Sequence, residues 1–286
     1  MDLLTLALPL FALLMLAEAV ITATRGEPAY AWRDFGGSMS QLAMNIAAKL
    51  GLDVLIIALH FWLYQYRLFD FGSGPLQWLF TLFVLDFFFY WYHRASHRSR
   101  FLWCAHVVHH SSEHMNFGTA LRQSPTGPLT RALFYWPLPL LGFDPLVIAS
   151  AGAVATIYGF WTHTKTIGKL WSPIEWLFVT PSHHRAHHGS NPEYIDKNYA
   201  NFLIIWDRLF GTFVEENAPV RYGLINNINT YNPIKIGFSD WYKLFRDSAR
   251  TTKLSETIQL WLKPPGWDPV SGKETNHEAA ITAESA

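Results

Sequence analysis

Hydrophobic positions gather into four long stretches nearly free of charge, Leu3 to Thr24, Leu52 to Phe69, Leu76 to Tyr92 and Ala132 to Thr162. A helix of about 20 apolar residues spans the hydrocarbon core of a bilayer, so each of the first three predicts one membrane helix. The fourth is broken by Pro137, Pro139, Gly142 and Pro145, which predicts a hairpin of two short arms that returns to the side it left. From Thr180 onward the apolar runs shorten and Asn, Asp, Pro and Gly recur, which predicts a cap built onto the membrane part. The pattern as a whole predicts an all-α integral membrane protein with four to five membrane helices and a cytoplasmic helical cap. Residues 1–270 are expected to form one domain, and the small polar residues of 271–286 a disordered tail.

Composition supports this picture. Half of the 286 residues are apolar and 15% are charged, well below the roughly 25% usual in soluble domains. Acidic and basic residues balance at 22 each, and without a basic stripe carrying interleaved aromatics nucleic acid is not an expected partner. The basic residues mark topology instead. Arg25, Arg33, Lys49, Arg94, Arg98, Arg100, Arg122 and Arg131 fall in connections that one threading places on the same side, whereas the connection after the second helix holds Arg67. The positive-inside rule then puts the N-terminus outside and the C-terminal region in the cytoplasm. The N-terminal stretch lacks a basic residue before its apolar run, so a retained anchor is expected rather than a removed signal peptide. Cys104 is the one cysteine, which suits a reducing compartment. The lack of extra modules suits a bacterial inner membrane.

Candidate chemistry lies with histidine. Ten of the 13 histidines fall in four groups: His93 and His97; His106, His109 and His110; His163; and His183, His184, His187 and His188. Residues three or four apart share a helical face, so each cluster can turn two or three nitrogens toward one point. One metal cannot use ten imidazoles, and two metals with about four or five each would account for the number. The cap must therefore meet the end of the third membrane helix. Asp86, seven residues before His93 on one face, is costly at membrane depth unless partnered. It is read either as an acceptor that orients a ligand imidazole or as the partner of a polar residue on a neighbouring helix. His183 points away from the His184 and His188 side and is read as a ligand or as a support to one. His60, inside the second helix, and His277 are read as structural, and His114 as a neighbour of its cluster. Ser182 and Gly189 are expected to bound the helix that carries the last cluster.

The clusters, with Trp103 to Glu113, Thr119 to Ser124, Thr180 to Gly189, Ile195 to Ala200 and Ile204 to Phe213, resemble the fatty acid hydroxylase and sterol desaturase superfamily. The similarity runs from about Tyr90 to Trp267 and is nearest to the branch that acts on alkylglycerols with tetrahydrobiopterin. The resemblance implies two iron ions held by His93, His97, His106, His109, His110, His184, His187 and His188, with His163 and His183 supporting; His163 is also read as a ligand from its place at a membrane exit. It further implies O2 as oxidant and a lipid C–H bond as target, with hydroxylation, desaturation or ether cleavage as outcomes. Arg98 stands where that branch carries a glutamate associated with the pterin, which favours a second reading. In it the chain is a sterol or lipid desaturase or hydroxylase fed by a ferredoxin or cytochrome-type donor. Electrons must come from a pterin or an external donor, since the sequence carries no motif for a haem, flavin or nicotinamide domain. A third reading, a non-catalytic metal-binding membrane protein, fits poorly with histidines gathered on one side.

Overall fold

The computed structural model describes residues 3–72 and 74–267; the expected tail at 271–286, with His277, lies outside them. Among the described residues thirteen helices follow one another: α1 (Leu3–Thr24), α2 (Trp32–Tyr64), α3 (Pro75–Arg98), α4 (Arg100–His110), α5 (Phe117–Ala120), α6 (Gly127–Tyr135), α7 (Pro137–Leu141), α8 (Pro145–Trp161), α9 (Ser172–Leu177), α10 (Pro181–His187), α11 (Ile205–Leu209), α12 (Pro233–Ser248) and α13 (Leu254–Leu262). Two isolated bridges, Phe178 to Leu203 and Gly189 to Tyr222, are the β-pairing among the described residues.

Helices α1 and α2 are long and apolar enough to cross a membrane. The second differs from its apolar run, starting at Trp32 and extending 33 residues, about 50 Å at 1.5 Å per residue. Hydropathy marks only its exposed apolar half, which includes Val54, Leu55 and Leu59. The first half is polar yet helical, because tertiary partners cover Asp34, Gly37, Ser38 and Gln41. Arg122 Nη1 donates to the Asp34 carboxylate at 3.2 Å, and Gln41 Nε2 to Pro233 O at 2.7 Å.

Ala132 to Thr162 does fold as a hairpin, its first arm broken into α6 and α7 where Pro137 opens a new helix. Near its tip Leu68 N donates to Leu140 O, which levels the tip with the loop between α2 and α3. Leu82, Leu85, Leu138, Phe143, Ile148, Ala151 and Ala155 form the core that joins α3, α7 and α8. At the other end of the bundle, Glu18 of α1 accepts from Tyr30 Oη, Phe117 N and Thr164 Oγ1, tying the first helix to α5 and to the segment that follows α8.

The hairpin turns at Gly142, where φ is +112° and a Cβ would lie 2.2 Å from Phe69 O. Both the left-handed backbone and the close approach require glycine. Gly142→Ala is expected to cost about 1–3 kcal/mol, read as a lower unfolding temperature in detergent. Gly127→Ala, with nothing within 4 Å of its Cβ position, should leave that temperature unchanged.

Candidate metal centre

Nine imidazoles converge in two groups: His93, His97, His106, His110 and His187 in one, and His109, His163, His184 and His188 in the other. Within each group the donor nitrogens lie within 4.8 Å of one another. Helical spacing explains the partition. The i, i+4 pairs 93/97, 106/110 and 184/188 each stay within one group. Consecutive residues 109/110 and 187/188, about 100° apart on a helix, divide between the two. The clusters on α4 and α10 thus serve two points, where spacing alone suggested one point for each cluster.

The donor set fits metal ions on its own chemistry. His93 Nδ1 donates to Tyr199 O at 2.6 Å, His187 Nδ1 to Lys197 O at 2.8 Å and His163 Nδ1 to Gly159 O at 2.7 Å. A carbonyl can only accept, so the proton of these neutral rings sits on Nδ1 and each Nε2 turns a lone pair inward. His106 Nε2 lies 2.9 Å from His93 Nε2 and 3.0 Å from His110 Nε2. In the second group His163 Nε2 lies 3.1 Å from His109 Nε2 and 2.8 Å from His184 Nε2, which is 3.1 Å from His188 Nε2. One N–H cannot serve two such neighbours, whereas adjacent ligands on a metal with bonds of about 2.0–2.1 Å sit roughly 3 Å apart. His97 Nε2 and His187 Nε2 are buried without a hydrogen-bond partner, as expected of nitrogens aimed at a cation.

Electrostatics keep the rings neutral. Burial, and then the charge that neighbouring imidazoles would carry, hold His106, His109, His110, His184, His187 and His188 well below the ordinary imidazole value.

The outer supports lie largely in the segment between α10 and α11. Lys197 and Tyr199 supply the carbonyls just described, and the Asp196 carboxylate faces His97 Nδ1 at 3.5 Å and Arg98 Nη1 at 2.7 Å. Burial would raise the Asp196 carboxyl, but its contacts with His97 and Arg98 overcome this and hold it at about 2. Asp196 and Asn198 have φ of 59° and 54°, a left-handed backbone tolerated best by Asn and Asp among residues with a side chain. Asn198 fixes the segment by donating to His183 O and Val214 O. Asp207, pushed up to about 6 by burial against the pull of its hydrogen bonds, accepts from Tyr199 N and Ala200 N. Sequence reasoning assigned roles to none of Asp196, Asn198 and Asp207. The signal was present as left-handed-tolerant residues spaced two apart within Ile195 to Ala200.

Two readings left open by the sequence narrow here. The Asp86 carboxylate accepts from Phe202 N, Leu203 N and Trp206 Nε1, with no imidazole among these partners, and so anchors the same segment from beneath. His183 lies outside both groups. Its Nδ1 accepts from Thr180 N and its Nε2 lies 3.1 Å from Glu175 Oε2, so it fixes the start of α10. Thr180, not Ser182, is the capping residue there, while Ser182 donates to Glu175. His60 is buried within α2 with Nε2 unpartnered, not hydrogen-bonded to the bundle through that atom. His114 lies outside both groups.

A cavity of about 1000 Å³ opens onto His97, His110, His187 and His188. Its walls pair apolar Trp103, Val107, Leu224 and Leu260 with Arg100, Lys243 and Asp247. Such a mixed lining can take an amphiphile.

The structure is thus a helical protein in which two histidine groups, each compatible with a metal site, lie beside a cavity of mixed lining. The chain carries a fatty acid hydroxylase domain, the model of that family matching residues 78–212. It is 39% identical to alkylglycerol monooxygenase of Homo sapiens over 92% of the chain and 59% of that protein, and 37% identical to that of Xenopus tropicalis over 91% and 58%. It is 33% identical to the ornithine lipid hydroxylase OlsE of Rhizobium tropici over 63% of the chain and 54% of that protein. The chain thus spans about three-fifths of the two alkylglycerol monooxygenases. No solved structure matches it.

Asp196→Asn is expected to weaken metal binding by about 10–100-fold, measured by competition with a chelator of known affinity. The depressed imidazoles set a pH dependence. Their unfolded values lie near 6.5, so as pH falls below that the unfolded chain takes up protons before the native one and stability falls. Metal-stripped protein is therefore expected to unfold at a lower temperature at about pH 5.5 than at about pH 7.5, measured by thermal scanning in detergent.

Proposed function

We propose that this chain is a membrane-bound di-iron monooxygenase that uses O2 to hydroxylate a lipid C–H bond, with an alkylglycerol ether as its substrate. The observation that carries the reading is the convergence of five and four inward-facing imidazole nitrogens beside an amphiphilic cavity. The similarity to alkylglycerol monooxygenases supports the choice of lipid. In this reading His93, His97, His106, His110 and His187 hold one iron, and His109, His163, His184 and His188 the other. Two bound iron ions would supply the reductive activation of O2, which all-imidazole coordination permits.

The chain's own residues then do four things. The carbonyls of Gly159, Lys197 and Tyr199 hold Nδ1 protons and leave Nε2 free for metal. Asp196, ionised at neutral pH, holds His97, and Asp86 and Asp207 keep its segment in place. The apolar wall formed by Trp103, Val107, Leu224 and Leu260 excludes water around an alkyl chain, and Arg100 and Lys243 offer donors to its polar end. Hydroxylation converts one C–H, O2, two electrons and two protons into an alcohol and water. On a carbon beside an ether oxygen the product is a hemiacetal, which collapses to an aldehyde and a free glycerol hydroxyl.

We also assign α1, α2, α3, the α6–α7 arm and α8 as the membrane crossings, with the histidines at the cytoplasmic face by the positive-inside rule; a bacterial inner membrane is the proposed location. Tetrahydrobiopterin is the proposed reductant. A second reading, a lipid hydroxylase or desaturase with a protein electron donor, is favoured by Arg98, whose guanidinium is engaged with Asp196 behind His97, and by the similarity to OlsE.

Membranes carrying the chain, given alkylglycerol, sterol and acyl lipids with each donor, are expected to consume alkylglycerol and release fatty aldehyde in a tetrahydrobiopterin-dependent manner, read by mass spectrometry. His109→Ala should lower turnover by at least about 100-fold. A lipid that gains one oxygen or loses two hydrogens with a protein donor alone would overturn the ether-cleaving reading in favour of the second.

A further inference from the structure

Helix α12 divides its surface into three sectors at 100° per residue. Ile236, Gly237 and Leu244 are buried against the protein. Ile234, Phe238, Tyr242 and Phe245 form an exposed apolar stripe, and Lys235, Ser239 and Arg246 a polar sector beside it. The short helix α13 repeats the device with exposed Leu254, Ile258 and Leu262 opposite buried Leu260. Trp241 stacks on Phe245, which meets Trp261 edge-on, so the two stripes join. Residues 233–263 hold six basic and three acidic side chains, a net +3. All six basic residues are exposed, and the acids Asp240, Asp247 and Glu256 are each part-covered and ion-paired.

The orientation of α12 follows from what its ends touch. Pro233 O accepts from Gln41 Nε2, and two turns later Trp241 Nε1 donates to Thr126 Oγ1 at the foot of α6. Asn45 Nδ2 donates to Ser124 O, so Gln41 to Asn45 and Ser124 to Thr126 share one height in the bundle. The helix therefore runs across the bundle axis, not along it. From that height downward the bundle presents exposed apolar residues, Ile46, Leu50 and Val54 on α2 and Leu129 and Leu133 on α6. A transverse helix with an apolar stripe, a basic sector and a seat at the top edge of an apolar belt has the features of a helix lying in a bilayer interface.

We propose that α12 and α13 form an interfacial platform, with the stripe from Ile234 to Leu262 sunk into the headgroup layer of the bilayer and the basic sector drawing anionic phospholipid beneath it. The inference rests on the membrane reading given above. It deepens that reading, because the opposite side of the platform is a wall of the cavity that reaches the histidines: Asp240, Lys243 and Asp247 of α12 and Glu256 and Leu260 of α13 line it. The cavity mouth is thereby held beside the leaflet, and an amphiphile reaches the metal centre without leaving the membrane surface.

The test is depth measurement on the full chain in nanodiscs of phosphatidylcholine, with or without phosphatidylglycerol. Nitroxide labels go on Phe238→Cys, Ile258→Cys, Ser239→Cys and Leu55→Cys, one at a time, since Cys104 is buried and unavailable to label. With phosphatidylglycerol present, the ratio of O2 to nickel-chelate accessibility at 238 and 258 is expected to exceed that at 239 by on the order of fivefold. It should fall toward the value at 239 when phosphatidylglycerol is omitted, or when Lys235, Arg246 and Lys253 are all changed to Glu. Equal ratios at 238, 258 and 239 overturn the proposal, as does exclusion of both reagents with spin–spin broadening, which would mean a second copy covers the stripe. Burial that ignores lipid charge and the triple reversal overturns the role of the basic sector. Leu55→Cys separates the two levels of failure: a water-exposed label there defeats the membrane reading, whereas a lipid-exposed one beside water-exposed 238 and 258 defeats the platform alone. A variant that elutes in the void volume is replaced by Tyr242→Cys or Leu262→Cys on the same stripe.

Discussion

Nine imidazoles packed into two buried groups crowd their nitrogens together, and the structure around them is organised to hold them there. Water would relieve that crowding by hydrating the nitrogens, and protonation would relieve it by turning some into donors. Burial removes the first remedy and suppresses the second. What remains is an outer frame that fixes several of the rings from behind, His93, His97, His163 and His187 among them, and a cluster of donors that suits a cation in front.

That frame is built more from backbone than from side chains. Carbonyls of residues 159, 197 and 199 fix three of the rings, and carbonyls are good fixtures because they cannot change protonation state. They must in turn be immobile. Asp86 reaches up from α3 and Asp207 across from α11, each accepting from consecutive backbone amides, so two carboxylates hold the two halves of one loop. The loop that carries two of the three carbonyls is thereby tied both to α3 and to α11, so the histidines of α3 and those of α10 share one support.

The sequence made the histidine clusters legible and the frame obscure. A histidine every three or four residues is a side-chain pattern, and His93, His97, His106, His109, His110, His163, His184, His187 and His188 are the nine that the structure brings together. The frame depends on carbonyls and on left-handed backbone at Asp196 and Asn198, which residue identity does not spell out. Asp86 was readable as a buried acid that needs partners, yet its partners come from residues more than a hundred positions away. Hydropathy located the apolar half of α2 and missed the polar half, because Asp34 and Gln41 are helical through Arg122 and α12 rather than through their own pattern. The hairpin was visible because prolines and a glycine punctuate it.

The division of His109 from His110, and of His187 from His188, between the two groups has a geometric meaning. Successive Cα atoms across a trans peptide are 3.8 Å apart, a distance that no packing change can alter. Two helices each present one such pair to both groups, so the covalent chain itself acts as a ruler between the two centres. The separation of the two groups is thus bounded by one peptide unit and by the reach of the four side chains, whatever the surrounding helices do.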